Sequence, residues 1–193
     1  MYAEDFEHYP LEVTMQASPK PSYTWAEPLV PYTQSNWTNA LYRCPSYRGT
    51  TAGGVPATAS FSNGQGSLLI DMGSRLGSYS YNAFGTSLPQ ALGLGGASRL
   101  FDTVTLTDRT IPRRAANIVM PSEMLAIGDS QHGDYRYTWM PATLLPKNGF
   151  SHGLRVNVSF CDGHVETKRA SVLFAPSAES CRQWNYDHEP HLP

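Results

Sequence analysis

An antiparallel hairpin is written into Leu154-Arg155-Val156-Asn157-Val158-Ser159-Phe160-Cys161-Asp162-Gly163-His164-Val165-Glu166-Thr167-Lys168. Leu154, Val156, Val158 and Phe160 alternate with Arg155, Asn157 and Ser159. That period of two puts one face of a strand on a core and the other in solvent. Asp162-Gly163 suits the two positive-φ positions of a type I′ turn, and His164 to Lys168 reads as the return strand. A two-residue loop pairs Cys161 with His164, Phe160 with Val165, Ser159 with Glu166 and Val158 with Thr167. In that register Phe160, Val165, Val158 and Thr167 share the buried face. Asp162 and Gly163 form a structural turn.

Outward from the hairpin, the chain offers more strands than helices. Gly77 to Asn82 alternates and reads as a strand; Arg99 to Thr107 and Met124 to Ile127 are further candidates. Near the start, Met1 to about His8 permits a helix that Pro10 stops. Prolines at 10, 19, 21, 28 and 31 make the following stretch extended. Ser35 can cap a short helix from Asn36 to about Arg43, with Trp37, Ala40 and Leu41 on one face and Pro45 beyond its end. Two Gly-rich stretches, 49–66 and Leu92 to Gly96, read as long loops. Loops of that kind either carry function or an interface, or merely decorate the surface. The pattern predicts an α+β domain spanning 1–193, in which an N-terminal helix packs on an antiparallel sheet with long ordered loops.

Composition narrows the function. The 193 residues carry a formal charge of -2, and charged residues make up 16%, against about 25% in an average soluble domain. No basic excess exists to neutralise phosphates, so nucleic-acid binding is disfavoured. No apolar run reaches the 18 or so residues of a membrane span, and the first residues lack the regions of a signal peptide. The protein is then either cytosolic or preceded by a targeting segment. Cys44, Cys161 and Cys181 allow one internal disulfide and leave one thiol over.

Candidate chemistry gathers late in the chain. Gly128-Asp129-Ser130 looks like the nucleophile block of a GDSL-type hydrolase. The block order and the spacing around Asp162, His164, Asp187 and His188 do not follow that family, which makes a turn the better reading. Asp129, His132, Asp134, His152, Asp162 and His164 make a metal site conceivable, with Asp129, His152, Asp162 and His164 the leading ligands. Carboxylates with loop carbonyls would suit calcium, and histidine-rich ligation would suit zinc. The competing reading is structural, with the aspartate holding the turn and the histidine bonded to loop backbone. The tryptophans Trp25, Trp37, Trp139 and Trp184 could form an exposed platform for a glycan or other extracellular ligand, or could fill the core.

His152, nine residues, then Asp162-Gly163 resembles the prepilin-type processing-associated domain frequent in planctomycetes and verrucomicrobia. Four further blocks agree in order: Tyr2 to Pro10, Leu41 to Ser46 around Cys44-Pro45, Ser78 to Asn82, and Met120 to Ser130. The ending Arg182 to His191 agrees as well, so the similarity spans nearly the whole chain. The resemblance implies a pilin-like head, the structural and non-catalytic subunit of a type IV pilus-like or type II secretion pseudopilus filament. Its partners would be other pilin or pseudopilin subunits. Its place would be periplasmic or extracellular, anchored in the inner membrane by an N-terminal helix that this chain lacks. A calcium ion in the C-terminal loop is a further implication. Apart from the resemblance, the cysteines leave open a disulfide joining Cys161 to Cys181 or to Cys44.

Overall fold

The computed structural model describes residues 2–11, 13–14, 23–25, 27–35, 44, 46, 79–87, 90–95, 97–99, 109–129, 136–138 and 152–192. In chain order the elements are α1 (Tyr2–Phe6), β1 (Val13–Thr14), β2 (Tyr23–Thr24), α2 (Val30–Thr33), β3 (Tyr79–Gly85), β4 (Ala97–Arg99) and β5 (Arg109–Ile111). They continue with β6 (Leu125–Asp129), β7 (Arg136–Thr138), β8 (Arg155–Phe160), β9 (Val165–Arg169), α3 (Ala170–Leu173) and α4 (Ala178–Arg182). The main sheet has the order β7-β3-β6-β8-β9. Its strands β3, β6, β8 and β9 run antiparallel, and β7 joins β3 in parallel. Short helices with an antiparallel sheet make this an α+β fold. Among the described residues no helix is long and apolar enough to cross a membrane.

The central strands of the sheet are buried on both faces, and the alternation along them says why. Val156, Val158 and Phe160 of β8 join Leu125, Ala170, Leu173, Phe174, Cys181 and Trp184 in one cluster, covered by α3 and α4. Tyr81 and Ala83 of β3 point the other way, into a second cluster with Trp25, Leu94, Ile118 and Met124. The register pairs Tyr81 with Ile127 and Ile127 with Ser159, which carries this second face across the sheet. A bulge between Leu125 and Ile127 lets these two residues serve opposite faces. Ser177 caps α4 by accepting the backbone N–H of Ser180 at 3.2 Å.

The hairpin forms where expected, but its register is displaced by one residue. Ser159 pairs with Val165, Val158 with Glu166, Asn157 with Thr167 and Val156 with Lys168. The loop has three residues. Phe160 O accepts the N–H of Gly163 and Phe160 N–H donates to His164 O, each at 3.0 Å. Gly163 has φ +93°, and Asp162 is not among the described residues with positive φ. A type I turn followed by a glycine bulge therefore replaces the two-residue type I′ turn. Shifting the register by one turns a strand over. Val165 is accordingly 67% exposed and Thr167 is exposed, so neither shares the buried face with Val158 and Phe160.

Several other expectations change. Leu92 to Gly95 is not a surface loop but lies buried against β3. Its amides bond there: Leu92 to Phe84 O at 3.0 Å, Leu94 to Asn82 O at 2.8 Å and Gly95 to Ala83 O at 3.1 Å. The glycines are needed for contact, because a Cβ on Gly93 would stand 2.5 Å from the carbonyl carbon of Ala83. Of the strand expected over Arg99 to Thr107 only Arg99 is described, as the last residue of β4; residues 100–108 lie outside those described, as do the helix at 36–43 and the loop at 49–66. The N-terminal helix exists but buries no residue. Instead of packing on the sheet it meets Tyr32 of α2, whose hydroxyl donates to Asp5 Oδ2 at 2.5 Å, and it shares with the sheet a cavity of about 650 Å³.

Candidate functional site

The last residue of β6 is Asp129, fully buried on the face that also carries Tyr79, its partner in register. Its Oδ2 accepts the backbone N–H of Asn157 at 2.7 Å. The other oxygen, Oδ1, is buried with no hydrogen-bond partner among the described residues. Burial pushes the carboxyl above the usual aspartate range, opposed by the Asn157 N–H and by His152.

His152 stands just before β8, bridged in backbone to Arg155, with its side chain about one-third exposed (32%). Its Nε2 lies 3.6 Å from Asp129 Oδ2 and 3.3 Å from Cys44 Sγ. Cys44 is itself buried. One nitrogen, one sulfur and one carboxylate oxygen thus lie within 4.8 Å of one another. Burial also pushes the Tyr79 hydroxyl above its usual range, with Cys44 and Asp129 adding to the effect.

This geometry differs from that of a nucleophile relay. Such a relay holds the acid on one ring nitrogen and the nucleophile on the other. Here the acid and the thiol both address Nε2. The three groups converge on a point instead of forming a line, which is the arrangement of a donor set or a hydrogen-bonded cluster. Calcium does not fit, since it takes 6–8 oxygen ligands and two of these three donors are nitrogen and sulfur.

The four leading ligands of the sequence do not assemble. Asp129 and His152 meet at one end of β8. Asp162 and His164 lie beyond its other end, and six residues of strand separate them by about 20 Å. There Asp162 Oδ1 accepts the backbone N–H of His164 at 3.1 Å and lies 2.6 Å from its Nδ1. These bonds hold the Asp162 carboxyl below the usual range. The His164 ring stacks on Phe160 at 4.2 Å, and its Nε2 lies 3.4 Å from Glu166 Oε1, which closes the corner structurally. Ser130, His132 and Asp134 lie outside the described residues.

Cys44 was not read as a ligand from the sequence, and no local pattern could have marked it, since 108 residues separate it from His152. The Cys161–Cys181 disulfide does not form, nor does either pair with Cys44. Cys161 packs with the Tyr81 cluster and Cys181 with the Trp184 cluster, on opposite faces of the sheet. The aromatic platform is also reduced: Trp25 and Trp184 are core residues, while Trp37 and Trp139 lie outside the described residues. No protein-family model, curated protein or solved structure matches the chain.

Proposed function

We propose that this chain is the globular head of a filament subunit, of the type IV pilus-like or type II secretion pseudopilus kind, with an architectural and non-catalytic role. One observation carries the reading. The buried amide of Asn82 donates to the carbonyls of Leu125 and Trp184. Three of the blocks that resemble the prepilin-type domain, Ser78 to Asn82, Met120 to Ser130 and Arg182 to His191, therefore meet at one side chain. The blocks behave as parts of one scaffold. Asp162 and His152, the two ends of the motif that suggested the family, sit at opposite ends of β8.

In this reading the head projects into the periplasm or the cell exterior, and its partners are like subunits. The Leu92 to Gly95 stretch is excluded as a neighbour contact by its burial. An inner-membrane anchor would be a helix encoded ahead of Met1. Determination of the upstream coding sequence tests this: an in-frame apolar segment of about 20 residues is expected. The head by itself is expected to scatter light as a monomer or weak oligomer. A polar upstream reading frame, or a tight oligomer of defined size, would count against the proposal.

A further inference from the structure

We propose that Cys44, Asp129 and His152 form a binding site for a single borderline transition-metal ion of the zinc class. Tetrahedral zinc, with bonds of about 2.0–2.3 Å, sets its nitrogen, oxygen and sulfur ligands about 3.4–3.6 Å apart. The distances from His152 Nε2 are 3.3 Å to Cys44 Sγ and 3.6 Å to Asp129 Oδ2. Both distances lie within about 0.3 Å of that range, and all three donors lie within 4.8 Å of one another.

A second observation points to a cation. Asp129 Oδ1 is buried and unpartnered among the described residues, and a carboxylate in that state is costly unless a positive charge compensates it. His152 stands against the other oxygen, Oδ2, at 3.6 Å. An ion between the three donors would face the carboxylate directly. A thiolate and an imidazole select zinc, cobalt or copper over calcium and magnesium. His152 is the open side of the site, so a solvent molecule or a partner's side chain would complete the coordination.

Such an ion would act as a staple. It would tie the Cys44 segment to the end of β6 and the start of β8, closing a loop of 108 residues between Cys44 and His152. Binding would release protons as the thiolate forms, and its free energy would add to folding.

Cobalt(II) titration of the metal-free protein tests the assignment. One equivalent is expected to bind, with a sulfur-to-cobalt charge-transfer band and the visible bands of a tetrahedral ion. Zinc is expected to erase both stoichiometrically, and a large excess of calcium to leave them. Cys44→Ser should abolish the charge-transfer band, and His152→Ala, at a part-exposed position, should weaken binding by tenfold or more. Zinc should raise the Tm of the native protein and leave that of Cys44→Ser unmoved. The proposal is overturned if saturating cobalt gives no band in natively folded protein, or if the band persists in Cys44→Ser.

Discussion

Asn82 and Trp184 are both fully buried, and the amide of the first donates to the carbonyl of the second at 3.0 Å. The same amide donates to Leu125 O at 2.8 Å, and its oxygen accepts the Gly85 N–H at 3.1 Å. One side chain thus satisfies three backbone groups on three segments. Asn82→Ala removes all three bonds from a buried position, so it is expected to cost about 3 kcal/mol in urea unfolding. A loss under about 1 kcal/mol would show that the amide is not what joins β3, β6 and the C-terminal segment.

Two glycines separate packing from backbone strain. Gly93→Ala drives a methyl into the Ala83 backbone, which cannot retreat without breaking the bonds that hold 92–95 to β3. A loss of about 2–3 kcal/mol is expected. Gly153 has open space around it but φ +72°, so Gly153→Ala should cost only about 1 kcal/mol. Equal losses in thermal or chemical unfolding would contradict the buried placement of Gly93.

The hairpin register has its own test. With Val165 exposed on the edge strand, Val165→Lys should change stability by no more than about 0.5 kcal/mol. Val158→Ala, in the core, should cost about 2 kcal/mol. The two-residue register would bury Val165, and a large loss in Val165→Lys would restore it.

Acid should loosen the corner. The Asp162 carboxyl is held below its ordinary range, first by the His164 backbone N–H and then by the His164 ring. Glu166 is lowered in turn, chiefly by Lys168. A depressed pKa means the folded state favours the charged form. The stabilisation is therefore complete above the ordinary carboxylate range and is lost as pH falls through the folded value. The Tm of the native protein should decline below about pH 4, and Asp162→Asn, which keeps the turn acceptor, should flatten part of that decline. An unchanged acid limb in Asp162→Asn would show the pair to be idle.

Thiol chemistry checks the cysteine assignment. Burial pushes the Cys161 thiol up to about 12, and burial also raises Cys181. At pH 8 the thiolate of Cys161 is then on the order of 10⁻⁴ of the total. Native Cys161 and Cys181 should label at least a hundredfold more slowly than in denaturant. Denatured protein should show three thiols without reductant, and a count of one would reveal a disulfide.

The strands were legible in sequence because alternation and turn chemistry are local. Val156, Val158 and Phe160 needed only their neighbours to be recognised as one buried face, and Gly163 needed only its own backbone freedom to mark the turn. Gly77 to Asn82 and Met124 to Ile127 could be read as strands in the same way, although the strands themselves run on to Gly85 and Asp129. The sequence could not choose between two hairpin registers, since both place Gly163 at positive φ and differ only in which strand face the packed core accepts. Nor could it show that Leu92 to Gly95 is interior: a run of glycines looks like a loop until the Ala83 backbone is found against it. The meeting of Cys44, Asp129 and His152 was least legible of all. Contacts across such separations are set by the packing of the whole sheet, and no residue's neighbours in the chain record them.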